Sequence, residues 1–185
     1  NDSTSPTLSN VRIFGAENTG LTIQNGAPSI SNLAVVESGG IAIHQTVNAS
    51  PTYVNLTATN TGGDYVFHDG GTTNADRTWD FGGLPVRLRD DLRIGGGTTL
   101  TVVPGTVVKV SLGAWIASNG TLIAKGTESK PIVFTSIEDD TAAGDSNRNG
   151  NATTGTQGQW EALYLENGST ASILEHVDIR FAGNG

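Results

Sequence analysis

The segment SPTLSNVRI at residues 5–13 returns as APSISNLAV at 27–35 and as SPTYVNLTA at 50–58. Pro6, Pro28 and Pro51 hold one register and Asn10, Asn32 and Asn55 another, in steps of 22 and 23 residues. A unit of this length cannot bury an apolar face alone, so its copies must stack to make a core. Each unit reads as a Pro turn, a short strand, an Asn or Gly bend and a second strand. LSNVRIFG is followed by TGLTIQNG, ISNLAVVESGG by IAIHQTV, and VNLTATNTGG by DYVFHDGG. Two or three short strands per period, without helical periodicity, predict an all-β fold: a right-handed parallel β-helix (solenoid) whose coils rise about 4.8 Å each. Leu, Ile, Val and Ala then point inward, and Gly and Asn take the bends because they tolerate positive φ. Asn10, Asn32 and Asn55 share a register and are expected to form an internal ladder of side-chain amides.

The rest of the chain keeps this style less strictly. Glycine is abundant at 25 of 185 residues and charged residues make up only 15%, so long amphipathic helices lack their raw material. Residues 69–83, DGGTTNADRTWDFGG, interrupt the rhythm and read as a junction between coils at 1–68 and coils at 84–185. Beyond it, LPVRLRDDLRIGGG, TTLTVVPGTVVKVSLG, AWIASNGTLIAKGTESK and PIVFTSIEDD are short strands with Gly turns. A polar, acidic, Asn/Gly-rich excursion at 138–158 precedes the final strands. At this repeat length the chain holds roughly eight coils.

Charge and composition exclude several function classes. A formal net charge of -8 with 10 Lys and Arg spread along the chain leaves no basic face, so no nucleic-acid partner is expected. The absence of cysteine removes disulfides and thiolate metal sites. No apolar run approaches the ~18 residues of a membrane span, so no membrane insertion is expected. The absence of methionine is expected of a processed chain or of one segment of something longer.

LTVVPGTVVKV, GTLIAKGTESKPIVFTS, DDTAAGDSNRNGNAT and ILEHVDIRFAG together resemble the parallel β-helix repeat regions of large secreted bacterial and archaeal surface proteins. The resemblance covers nearly the whole chain but is to a pattern of coils, and speaks more to fold than to function. It implies that the 84–185 coils open such a unit and the 1–68 coils close it. This chain then looks like a unit cut and rejoined at 69–83. His176-Val177-Asp178-Ile179 matches Asn10-Val11-Arg12-Ile13, and joining end to beginning would place the two about one coil apart. The expected partner is therefore another copy, end to end or in tandem, in an extracellular cell-surface fibre or adhesin stalk with no enzymatic activity.

The sharpest local motif is DSNRNG at 145–150, which fits the first half of a calcium loop, D-x-[DN]-x-[DN]-G. Asp145, Asn147 and Asn149 would supply side-chain oxygens and Asn151 a carbonyl, with Asp139, Asp140 or Glu138 adding charge. Position 12 is Thr156, not a bidentate Glu. The family resemblance also implies calcium here, from loops richer in Asp than this one. The other reading is a surface loop shaped by Asx turns.

Other β-helices degrade polysaccharides, so a polysaccharide-binding module, lyase or hydrolase is the rival class, with polysaccharide as a second candidate partner. Its carboxylates would come from Asp90 and Asp91 beside Arg87, Arg89 and Arg93, or from Glu175 and Asp178 beside Arg180. RLRDDLR reads more simply as an exposed, charge-paired strand face. His44, His68 and His176 fall in different coils and read as packed or solvated side chains. Trp79, Trp115 and Trp160 are expected at coil edges. Among the N-x-[ST] sequons, Asn119 and Asn167 in Gly turns are the best glycan acceptors. An ice-binding Thr face has TLT at 99–101 as its one convincing piece.

Overall fold

The computed structural model describes residues 5–150 and 152–183. The described residues form eighteen strands and no helix. Three consecutive coils come first: β1 (Thr7–Phe14) with β2 (Leu21–Ile23), β3 (Ser29–Val36) with β4 (Ile41–Gln45), and β5 (Thr52–Thr59) with β6 (Gly63–His68). Four three-strand coils follow: β7 (Gly71–Thr73), β8 (Arg77–Trp79) and β9 (Val86–Leu88); β10 (Leu92–Ile94), β11 (Thr99–Val102) and β12 (Val107–Val110); β13 (Ile116–Ser118), β14 (Thr121–Lys125) and β15 (Ile132–Ser136); β16 (Leu163–Leu165), β17 (Ile173–Glu175) and β18 (Val177–Ile179).

Every pairing between these strands is parallel and links one coil to the next. The fold is a parallel β-helix. One long sheet runs in the order β18-β15-β12-β9-β6-β4-β2. A bent sheet, β1-β3-β5, flanks its first three coils, and two four-stranded sheets, β16-β13-β10-β7 and β17-β14-β11-β8, flank the other four. Where the cross-section changes, between β6 and β9, the long sheet is the one that continues among the described residues.

Seven strands in the long sheet make six turns, fewer than the roughly eight coils expected from repeat length. The excursion after β15 consumes a coil's worth of chain without adding a strand to any of the sheets.

The core is a set of axial columns. Leu21, Ile43, Val66, Val86, Val108, Phe134 and Ile179 stack in register down the long sheet. Its middle members are buried, but Ile179, the last, is 45% exposed. Trp79 and Trp160 belong to this core at 2% and 0% exposure, not to coil edges as expected; Trp115 alone is half-buried, with Arg93 stacked on its ring at 5.1 Å. The indole of Trp160 donates to the Arg180 carbonyl at 2.7 Å, which lets a polar-edged ring sit in an apolar interior. Corners are tight: a Cβ on Gly168 would lie 2.0 Å from the Asn119 carbonyl oxygen of the coil below, so only glycine fits there.

Asn55 donates its amide to Asn32 at 2.8 Å, and Asn32 donates to Asn10 at 2.9 Å. All three have positive φ, between 52° and 56°. The ladder is exposed, not internal as expected. At a left-handed bend the side chain leaves the alternation of the strand, so the amides run up the outside of the corner.

Candidate functional site

Two regions stand apart from the uniform stack: the acidic excursion after β15 and the two unpaired ends.

Lys109 organises the excursion. It sits in β12 on the outward face of the long sheet, in the row Thr22, His44, Phe67, Arg87, Lys109, Thr135. An outward lysine is ordinarily solvated. Here it is 0% exposed, because the loop folds back over it. Its ammonium donates to the Asp139 carbonyl at 2.9 Å and to the Gly144 carbonyl. Burial pushes its pKa down, while the negative charges of Asp140, Asp139 and Asp145 oppose that.

Asp139 is itself buried at 1% exposure. Its carboxylate accepts from Thr135 Oγ1 at 2.7 Å and from the Thr141 backbone N–H and hydroxyl, with the Arg180 guanidinium 3.8 Å away. Burial works to raise its carboxyl pKa. The hydrogen bonds from Thr141 and Thr135 and the charge of Arg180 outweigh that and hold it below the usual carboxylate value.

The carboxylate of Asp145 accepts the backbone N–H groups of Asn149 and Gly150, at 3.2 and 2.9 Å. Asn147 donates to Glu138 and to Thr153. The Asp140 Oδ1 and Asn149 Oδ1 atoms are buried and unpartnered. Asn151 lies outside the described residues. Among the described residues no three His, Cys, Asp or Glu side chains come together as a metal-holding group. The Asp145 carboxylate has about four lone-pair sites and uses two on the Asn149 and Gly150 N–H groups, so it can still face a cation.

The loop also reaches along the axis. Arg148 pairs at 3.0 Å with Asp64 in β6, three strands away from β15 in the long sheet. Asp64 in turn accepts from the Thr61 N–H and hydroxyl.

The charged strand face at 87–93 is engaged in local pairs. Arg87 stacks on Tyr65 and Phe67, Arg93 holds the Glu166 carboxylate with contacts of 2.7 and 2.5 Å, and Asp91 accepts the Trp115 N–H. Asp90 pairs with Arg89 at 3.4 Å. Asp178 pairs with Arg180 at 2.6 Å, and Glu175 lies 4.0 Å from Lys125. His44 bonds Asp69 at 2.9 Å, and His68 is buried with its Nδ1 accepting the Gly70 N–H. Asn119 and Asn167 are exposed at bends, the setting a glycan acceptor needs.

At one end, β18 and β17 present edges with no strand partner among the described residues; at the other, β1 and β2 do. Both edges carry apolar side chains: Ile173 and Ile179 at one, Leu8, Val11, Ile13 and Leu21 at the other. The two edges also share a backbone pattern that sequence reasoning half caught. Positive φ occurs in pairs five residues apart at Asn10 and Gly15, Asn32 and Glu37, Asn55 and Asn60, and again at His176 and Phe181. The last coil therefore repeats the φ pattern of the first three, with the pair flanking β18 of the long sheet where it flanks the second half of β1, β3 and β5 in the bent sheet, although His and Phe are poor choices for that conformation. The match of His176 to Asn10 was readable from local pattern; that of Phe181 to Gly15 was not.

Comparison with protein-family models, with curated proteins and with solved structures returns no match.

Proposed function

We propose that the protein is a non-enzymatic structural β-helix unit that stacks head to tail, or continues in tandem, into a fibre or stalk outside the cell. The observation that carries this is the paired left-handed bend shared by both ends. Superposing His176 and Phe181 on Asn10 and Gly15 aligns Leu174 with Leu8, Val177 with Val11, Asp178 with Arg12 and Ile179 with Ile13. Inward apolar residues meet inward apolar residues, and an outward carboxylate meets an outward guanidinium. Such a contact is heterologous and does not close on itself, so it propagates. An exposed sheet edge of this kind pairs unless it is blocked. Placement outside the cell rests on the resemblance to secreted surface proteins.

The chain has no cysteine, so cross-linking is clean. In-register parallel neighbours lie about 4.8 Å apart, within the span a disulfide bridges. The variant carrying Arg12→Cys and Asp178→Cys is expected to give a ladder of multimers on non-reducing electrophoresis after mild oxidation. Each single variant stops at dimers. A control pairing Arg12→Cys with Asp90→Cys, which lies in mid-stack, gives no ladder. Equal ladders from both double variants, or none from either, would refute the register.

A further inference from the structure

The loop after β15 bonds to strands well beyond its own coil. Lys109 in β12 holds its Asp139 and Gly144 carbonyls, Asp64 in β6 holds Arg148, and Arg180 after β18 approaches Asp139. From β6 to β18 is four steps of the long sheet, about 19 Å along the axis. We propose that residues 138–150 are an axial brace across the change of cross-section, and that its central cation is the Lys109 ammonium in place of a metal ion.

Three lines of reasoning lead there. The first is cost. A buried ammonium is tolerated only where acceptors converge on it, and the loop backbone turns two carbonyls onto this one. The negative charges of Asp140, Asp139 and Asp145 favour its charged form. The acidic character of the loop thus has a partner inside the chain. The second is occupancy. Asp139 is 1% exposed, and its carboxylate already accepts from Thr135 and from the N–H and hydroxyl of Thr141 with the Arg180 guanidinium beside it, so the most buried carboxylate of the loop is answered from within the chain. The third is position. Between β6 and β9 the bent sheet has stopped, the two four-stranded sheets have only begun, and the long sheet alone continues among the described residues. That step has the fewest lateral ties. The Arg148–Asp64 pair lands on its far side, while Lys109 anchors the loop on the near side.

The test is limited proteolysis within 138–158 with hydrogen exchange along the chain, on wild type, Lys109→Met and Arg148→Ala, each in chelator and in millimolar calcium. Wild type is expected to be cleaved at rates within about twofold in the two conditions. Lys109→Met should be cut in the loop about tenfold faster or more while the core strands stay protected, because the loop loses the group its carbonyls close on. Arg148→Ala should speed cleavage by about threefold or more and raise exchange in β6. If chelator speeds wild-type cleavage about tenfold and calcium restores it, the central cation is a metal and the proposal is wrong. If both variants stay within about twofold of wild type, there is no brace. Should Lys109→Met fail to fold, Arg148→Ala and Asp64→Asn, both at a part-exposed pair, decide the bracing, and the chelator comparison on wild type decides the cation.

Discussion

Leu92, Ile116 and Leu163 occupy one in-register column on successive coils, so the same truncation can be made at two depths of one stack. Leu92 is 0% exposed, with the backbone of Gly71 on one side and Ile116 on the other. Removing three carbons forfeits about 2.4 kcal/mol of transfer free energy at ~0.8 per methylene. The strands on either side are fixed by their ladders and cannot close the gap, so a cavity term brings Leu92→Ala to roughly 3.5 kcal/mol. Leu163 is only partly buried, because its strand β16 has one strand neighbour among the described residues. Leu163→Ala in dilute protein should therefore cost only about 1 kcal/mol. The end-to-end register sets β1 of the next copy against β17 and β18, not β16, so the cost of Leu163→Ala should not change on assembly. Urea unfolding followed by circular dichroism measures both, at low and high protein concentration. Equal costs in dilute, monomeric protein would refute the reasoning, as they would show that the last coil is packed like an interior one without a partner.

Further outcomes follow from other residues. Asn32→Ala removes both ladder bonds of Asn32 and puts alanine at a φ of 52°, and should cost about 2 kcal/mol by thermal or urea unfolding; Asn32→Gly, which accepts that φ, should cost about 1. Burial lowers His68 to about 4 from an unfolded value of 6.5, so the folded state binds its proton later. Stability tied to His68 is complete above pH 6.5 and falls as pH drops toward 4, and its NMR titration should show no protonation until about pH 4. Asp139 is held below the ordinary aspartate value of 3.8, so its contribution is complete above that and is lost as pH falls through the lower native value. Asp139→Asn should flatten that acid limb in a melting-temperature profile.

The sequence made the coils legible because Pro6, Pro28 and Pro51 and the three ladder asparagines repeat in register, and because alternate Leu, Ile and Val mark the inward face. Exposure of the ladder was not legible, since repetition of Asn gives the corner but not the side of the corner on which the amides lie. The number of turns was overcounted because a polar excursion and a coil have similar lengths in residues. Lys109 escaped notice for a different reason. In VVKV an outward lysine is what any solvated strand shows, and only the fold-back of a loop some 30 residues later buries it. In DSNRNG the Asp145 carboxylate accepts the backbone N–H groups of Asn149 and Gly150, contacts that a cation-binding loop and an Asx-turn loop share. Long-range pairs such as Arg148 with Asp64 leave no local signal at all.

The central claim is that the two ends fit each other. Negative-stain electron microscopy of the protein at high concentration tests it most directly. Seven coils at the usual strand spacing give about 34 Å per copy, so the expected result is thin unbranched filaments with that axial repeat. Single rods of about 34 Å at every concentration, with no end-to-end joining, would contradict it.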